Sequence, residues 1–215
     1  MEENLQVPQH QKINSFFIIS FSMLHLLVGL GNPGKEYELT RHNVGFMIID
    51  AIMHHFLFPD FKKKHNALIS SGSIQSYKVI LAKPYTFMNN SGVPISSIVK
   101  LYKIPLDNII VFHDETDIDF CTIRIKKGGG NAGHNGLKSI DTLLGRDYWR
   151  IRFGIGHPNN GYDLSYYVLS QFNNLNAVNN TISNIIEHIS LLFENDKSIF
   201  KNKVKDLIKY TDISS

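Results

Sequence analysis

Five side chains spread along the chain have types suited to hydrolysis: Asn32, His42, Asn89, Asp114 and Asn135. Histidine, with an unperturbed pKa of about 6.5, is the natural base at neutral pH. Asparagine donates and accepts hydrogen bonds but never titrates. A site built from it holds a water and a carbonyl without competing for the proton. The single cysteine, Cys121, lies near no nucleophile motif, and Ser91 has no partner histidine in its sequence context. The set favours direct attack by water over a covalent intermediate.

These residues fall in four segments, each with a plainer alternative. Gly31-Asn32-Pro33-Gly34, followed by Tyr37, Arg41, His42 and Asn43, reads locally as a tight turn. It is a poor dinucleotide fingerprint, because a proline stands where the helix should open. Thr86–Gly92 reads as a helix N-cap built from Asn and Ser. His113-Asp114-Glu115-Thr116-Asp117-Ile118-Asp119 is a solvated acidic loop, a cation site, or a source of the carboxylate that orients a histidine. It lacks the glycine and terminal acid of a calcium loop. Lys126–Gly136 carries five glycines in nine residues behind two lysines. That composition suits a mobile loop or a floor for an anionic backbone, and it lacks the Walker ending.

The elements that must hold these segments are legible as hydrophobic patterns. Residues 24–30 form an apolar run fit for a strand buried on both faces. Residues 43–58 show helical spacing, stopped by Pro59. Residues 67–73 and 77–82 read as a hairpin, with the basic run 62–64 on a connection before it. A helix is expected over 88–102, with Pro94 tolerated in its first turn. Residues 108–113 are the strongest strand, and 122–127 and 149–155 are two more. Helices are expected over 136–144, 175–193 and 198–208, with 162–172 open between short helix and strand. Alternating strands and helices predict an α/β fold: a single domain with a mixed, mostly parallel twisted sheet flanked by helices on both faces.

The chain has 215 residues and a mass of 24.5 kDa, is 43% hydrophobic and 19% charged, and carries a formal net charge of +3. That suits one compact domain and permits an anionic substrate without demanding one. Cys121 alone excludes an intramolecular disulfide framework. Residues 1–22 are polar, then aromatic, and do not share the strand and helix patterning of residues 24–208. They are expected to be an N-terminal extension outside the core, with the domain over 23–215. A signal peptide lacks support, since the start is not basic and no small-residue cleavage site precedes the glycine turn. No apolar run is long enough to span a membrane, so a cytoplasmic location is expected.

The segments VGLGNPGKEYELTRHNVGF, KPYTFMNNSG, HDETDI, KGGGNAGHNGLKSI and RIRFGIGHP, in this order, resemble bacterial-type peptidyl-tRNA hydrolase. The resemblance covers roughly residues 24–172. It implies cleavage of the ester joining a peptide to the 3′ ribose of tRNA, without metal or cofactor. By motif match, His42 is then the general base, Asp114 the carboxylate that orients it, and Asn32 the residue that separates peptidyl from free aminoacyl esters. Tyr37, Phe87, Met88, Asn89 and Asn135 match residues lining the acceptor-end and peptide groove. Lys126 and Arg152 match positions that clamp the tRNA 5′ phosphate. The implied partner is peptidyl-tRNA through its acceptor stem and 3′ end, with no obligate protein partner and a monomeric enzyme.

Three features depart from that pattern: the leader, Thr116 in place of an aliphatic residue, and Asp119-Phe120-Cys121 in place of a Pro/Gly turn. None touches His42 or Asp114. Three other readings are a catalytically inactive RNA-binding relative, a metal-dependent hydrolase using the acidic loop, and a nucleotide-binding oxidoreductase. Loss of His42, Asp114 or Asn89 would favour the first, and chelator sensitivity the second. A 3-2-1-4-5-6 sheet would favour the third.

Overall fold

The computed structural model describes residues 24–158, 163–194 and 196–211, with side chains placed as far as Val204. The extension over 1–22 and Tyr162 lie outside the described residues. Seven strands form one sheet: β1 (His25–Gly29), β2 (Lys62–Lys64), β3 (Ala67–Ile74), β4 (Tyr77–Pro84), β5 (Ile109–Glu115), β6 (Ile123–Lys127) and β7 (Trp149–Gly154). Their order is β2-β3-β4-β1-β5-β7-β6. The pairs β4–β1, β1–β5 and β5–β7 are parallel, and the outer pairs β2–β3, β3–β4 and β6–β7 are antiparallel. This is the mixed sheet expected, with its parallel part in the middle.

Alternate residues of the central strands face two separate cores. Leu27, Leu81, Ile110, Phe112 and Ile151 pack under α1 (Val44–His55), α5 (Leu175–Glu187) and α6 (Ser198–Thr211). Leu26, Val28, Ile80, Ile109 and Val111 pack under α2 (Gly92–Tyr102) and α3 (Asn135–Leu144). Burial on both faces explains why β1 and β5 read as continuous apolar runs rather than alternating ones.

Several boundaries differ from the sequence reading. Lys62–Lys64 is not a connection but an edge strand, every residue exposed, paired with Ala67–Ile69. Lysine is depleted in strands, and tertiary pairing overrides that propensity here. Residues 88–90 form a separate 3₁₀ turn, and α2 begins at Gly92. Neither asparagine caps it; the Ser91 hydroxyl donates to the carbonyl of Met88 within the turn, at 2.8 Å. The segment left open between short helix and strand is a short helix, α4 (Leu164–Val168), followed by no strand but an isolated bridge of Gln171 with Thr40. The helix expected over 175–193 ends at Glu187 and continues as a 3₁₀ turn over Ile189–Leu192. The Asp119–Cys121 loop closes with Cys121 at φ 60°, its N–H donating to the Gly154 carbonyl at 2.8 Å.

The glycine turn is placed by backbone contact. A Cβ on Gly45 would collide with the carbonyl of Phe112 and the backbone of Leu30, and one on Gly29 with the carbonyl of Gly45. The start of α1 therefore lies directly on the C-terminal ends of β1 and β5. Gly45→Ala has no flexible side chain to displace there. Its unfolding free energy is expected to fall by about 1–3 kcal/mol or more, read from denaturant melts.

Candidate active site

Asn32 follows the C-terminal end of β1, and Asp114 lies near that of β5, the edge where ligand sites of open α/β sheets lie. A cavity of about 690 Å³ opens there. It is bordered by Asn32, Tyr37, His42, Phe87, Met88, Asn89, Asp114 and Asn135, eight of the ten residues singled out from sequence. Lys126 and Arg152 do not line it; they lie on β6 and β7, their side chains on the same face of that pair by register.

His42 sits in a 3₁₀ turn, Arg41–Asn43, between the glycine turn and α1. Its Nδ1–H donates to both carboxylate oxygens of Asp114, at 2.9 and 3.0 Å, leaving Nε2 as the free lone pair. Burial lowers the pKa of His42, but the charge of Asp114 and its hydrogen bond outweigh that, and the net shift is upward. Asp114 is 3% exposed. Burial pushes its pKa up, yet the two histidines around it hold the carboxyl well below the usual range. His113, the residue before, faces full burial and is pushed down to about 3, so it stays neutral.

The second of those histidines is one that the sequence reading passed over. His134 Nε2 donates to Asp114 Oδ1 at 3.0 Å. Its Nδ1 accepts from the backbone N–H groups of Gly136 and Leu137, at 3.1 and 3.4 Å, so His134 is the N-cap of α3. Histidine is not among the favoured N-caps, and a glycine-rich segment gives no other local signal. His134→Ala removes the cap and one support of Asp114. A stability loss of about 0.5–2 kcal/mol from the cap alone is expected in thermal melts, with a fall in turnover beside it.

Among the described residues, His42, Asp114 and His134 form a group whose ligand atoms lie within 4.8 Å of one another. The donor chemistry does not fit a cation. Because His134 Nδ1 accepts two backbone N–H bonds, its proton is on Nε2, the atom a metal would need bare. The acidic loop offers no better set, since Glu115 Oε2 accepts from Arg152 Nε at 3.0 Å.

Asn32 is 7% exposed and tightly held. Its backbone N–H donates to Asn43 Oδ1 at 2.8 Å, and its carbonyl accepts from Asn43 Nδ2 at 2.9 Å. Its own Oδ1 accepts from the Met88 N–H at 2.8 Å, which orients the side-chain amide and leaves Nδ2 as its outward donor. Asn89 and Asn135 are brought to one rim by the packing of α2 on α3, where the Gly92 N–H donates to Ser139 Oγ at 2.9 Å. α4 also lines the cavity, through Leu164, Ser165 and Val168, with Leu169 just after it. Periodicity did not single out these residues, because a five-residue helix is too short to show any.

A family model described as Peptidyl-tRNA hydrolase matches residues 26–211. The chain is 98% identical over 193 residues to a peptidyl-tRNA hydrolase of Ehrlichia ruminantium (strain Gardel), covering 90% of this chain and 100% of the relative. It is 50% identical over 181 residues to one from Wolbachia pipientis wMel, covering 84% of this chain and 100% of that one. A crystal structure of peptidyl-tRNA hydrolase from Acinetobacter baumannii superposes with a TM-score of 0.80 at 34% identity, over 85% of this chain and 95% of that one. None of the described helices is long and apolar enough to cross a membrane. With the likeness running through both sequence and fold, the chain belongs to the peptidyl-tRNA hydrolase family.

Proposed function

We propose that this enzyme hydrolyses the ester between peptide and tRNA with a water activated by His42, without metal. The observation that carries the reading is the His42–Asp114 pair, with Nε2 left bare at the cavity rim. His42 Nε2 takes a proton from water as its oxygen attacks the ester carbonyl. The imidazolium, stabilised by Asp114, then gives the proton to the departing 3′ oxygen, releasing a free carboxylic acid and a tRNA hydroxyl. Asn89 and Asn135 hold the water. Asn32 Nδ2 donates to the carbonyl of the peptide bond next to the ester. A free aminoacyl ester has no such carbonyl and presents only N–H donors to that donor, which supports selectivity for blocked amines.

Arg152 and Lys126 are proposed to hold the tRNA 5′ phosphate. Glu115 occupies the Arg152 Nε, so the outer edge of the guanidinium is what remains for a phosphate. Arg152→Ala and Lys126→Ala are each expected to raise KM while reducing the slope of log affinity against log salt by about 1.

The test is release of peptide from N-acetyl-aminoacyl-tRNA and from the unblocked ester, with and without EDTA. Chelator-resistant turnover of the blocked ester alone is the expected result. Loss of turnover in EDTA, or equal rates on both esters, would overturn the mechanism.

A further inference from the structure

The turn that carries His42 is fastened on both sides. Asn43 closes on the backbone of Asn32 through its side-chain amide. Arg41 reaches the other way, to the chain just after α4. Its guanidinium donates from one terminal nitrogen to Ser170 Oγ, at 2.7 Å, and to the carbonyl of Gln171. It lies 4.4 Å from the centre of the Tyr167 ring and 5.6 Å from that of Phe172. The arginine is only 8% exposed. Backbone contacts take the same path: the Arg41 N–H donates to the Ser170 carbonyl at 3.0 Å, and the Phe172 N–H to that of Leu39 at 3.3 Å. Tyr167 is fixed from beyond, its hydroxyl donating to the Ile155 carbonyl at 2.6 Å.

A buried arginine with no carboxylate among its described partners is costly for a mere scaffold. What it joins is specific: the residue before the base and the segment that follows the α4 part of the cavity lining. We infer that Arg41 is a positioning residue that sets the distance of the α4 wall from His42, and so determines how firmly the acyl part of the substrate is held. Leu164, Ser165 and Val168 reach the cavity from a five-residue helix, and Leu169 from just after it; none of the helix's residues is fully buried, and only Tyr167 and Val168 pack against the core. The placement of these lining residues depends on what anchors Tyr167, Ser170 and Gln171. Asp114 supports the base from below and is not part of this link, so wall and base respond to different substitutions.

The inference rests on the hydrolase reading, and its test separates the two. Arg41→Lys keeps a buried positive charge but cannot both stack on Tyr167 and reach two acceptors. Hydrogen exchange over residues 164–172 is expected to accelerate while exchange in β1 and β5 is unchanged. KM for N-acetyl-aminoacyl-tRNA is expected to rise about tenfold, the size of one charge-assisted hydrogen bond. The acid limb of the kcat–pH profile stays in place. Ser170→Ala, which removes one acceptor and no charge, should move the same two readouts in the same direction by less. Unchanged exchange over 164–172 in both variants would overturn the inference. So would a lower kcat with a displaced acid limb at constant KM, because Arg41 would then act on the base. If wild type shows no turnover, the hydrolase reading fails, and the exchange measurement still decides whether Arg41 holds the wall.

Discussion

His42→Ala lowers turnover of N-acetyl-aminoacyl-tRNA by about 100- to 10,000-fold, the range expected for removal of a general base. KM changes little, because the cavity walls are carried by other elements and Asp114 keeps its hydrogen bond from His134. Single-turnover measurements with enzyme in excess give the chemical step directly. In wild type, the base works only when neutral. Its pKa is raised above 6.5 by Asp114, despite burial. Activity therefore climbs with pH along an acid limb whose midpoint lies above 6.5. Stability runs the opposite way: the contribution of protonated His42 is complete below about 6.5 and is lost as pH rises through the folded-state value. A rate profile with its acid midpoint below 6.5 would contradict the assignment.

Asp114→Asn is the second large effect, and its signature is a rate that falls although more of the base is neutral. The carboxylate accepts from both histidines, at 2.9 and 3.0 Å. Both histidines share Oδ1 and His42 also reaches Oδ2, so an amide, with one oxygen and one NH₂ group, sets the His42 N–H against a donor in either orientation. For His42 this removes the partner that fixes its tautomer and steadies the imidazolium. A loss of about 1000-fold or more in kcat is expected, by analogy with carboxylate-to-amide changes behind catalytic histidines. With the raising influences gone and burial left, the acid limb moves to lower pH. The acid side of the stability curve changes too. Asp114 titrates well below an ordinary carboxylate, so it stabilises the fold above the unfolded-state value of about 3.9 and ceases to do so as pH falls through its own. Acid unfolding monitored by circular dichroism should be less steep in the amide variant.

How far the sequence revealed this depends on the kind of signal. The apolar runs of β1 and β5 and the helical spacing of α1 are local, and each lies where the pattern put it to within three residues at its ends, α1 stopping at His55 and β5 running on through Asp114 and Glu115. The His42–Asp114 pair spans 72 positions, and no spacing rule joins residues so distant. Residue chemistry and motif resemblance proposed it, and the parallel pairing of β1 with β5 explains it. His134 escaped because its role is set by a helix start that a glycine-rich segment conceals. The Lys62–Lys64 strand escaped because edge pairing is a property of the neighbour, β3, more than of the lysines.

That edge has a consequence for the protein in concentrated solution. An open sheet exposes unpaired N–H and C=O groups along both outer strands, a template for chain-to-chain pairing. Here one edge is three consecutive exposed lysines, and the other carries exposed Arg124, Lys126 and Lys127. Two copies approaching edge to edge, by either side, bring like charges together at hydrogen-bonding distance. The sheet is thus insulated against polymerising by its own charge, and that insulation is strongest at low ionic strength, where screening is weakest.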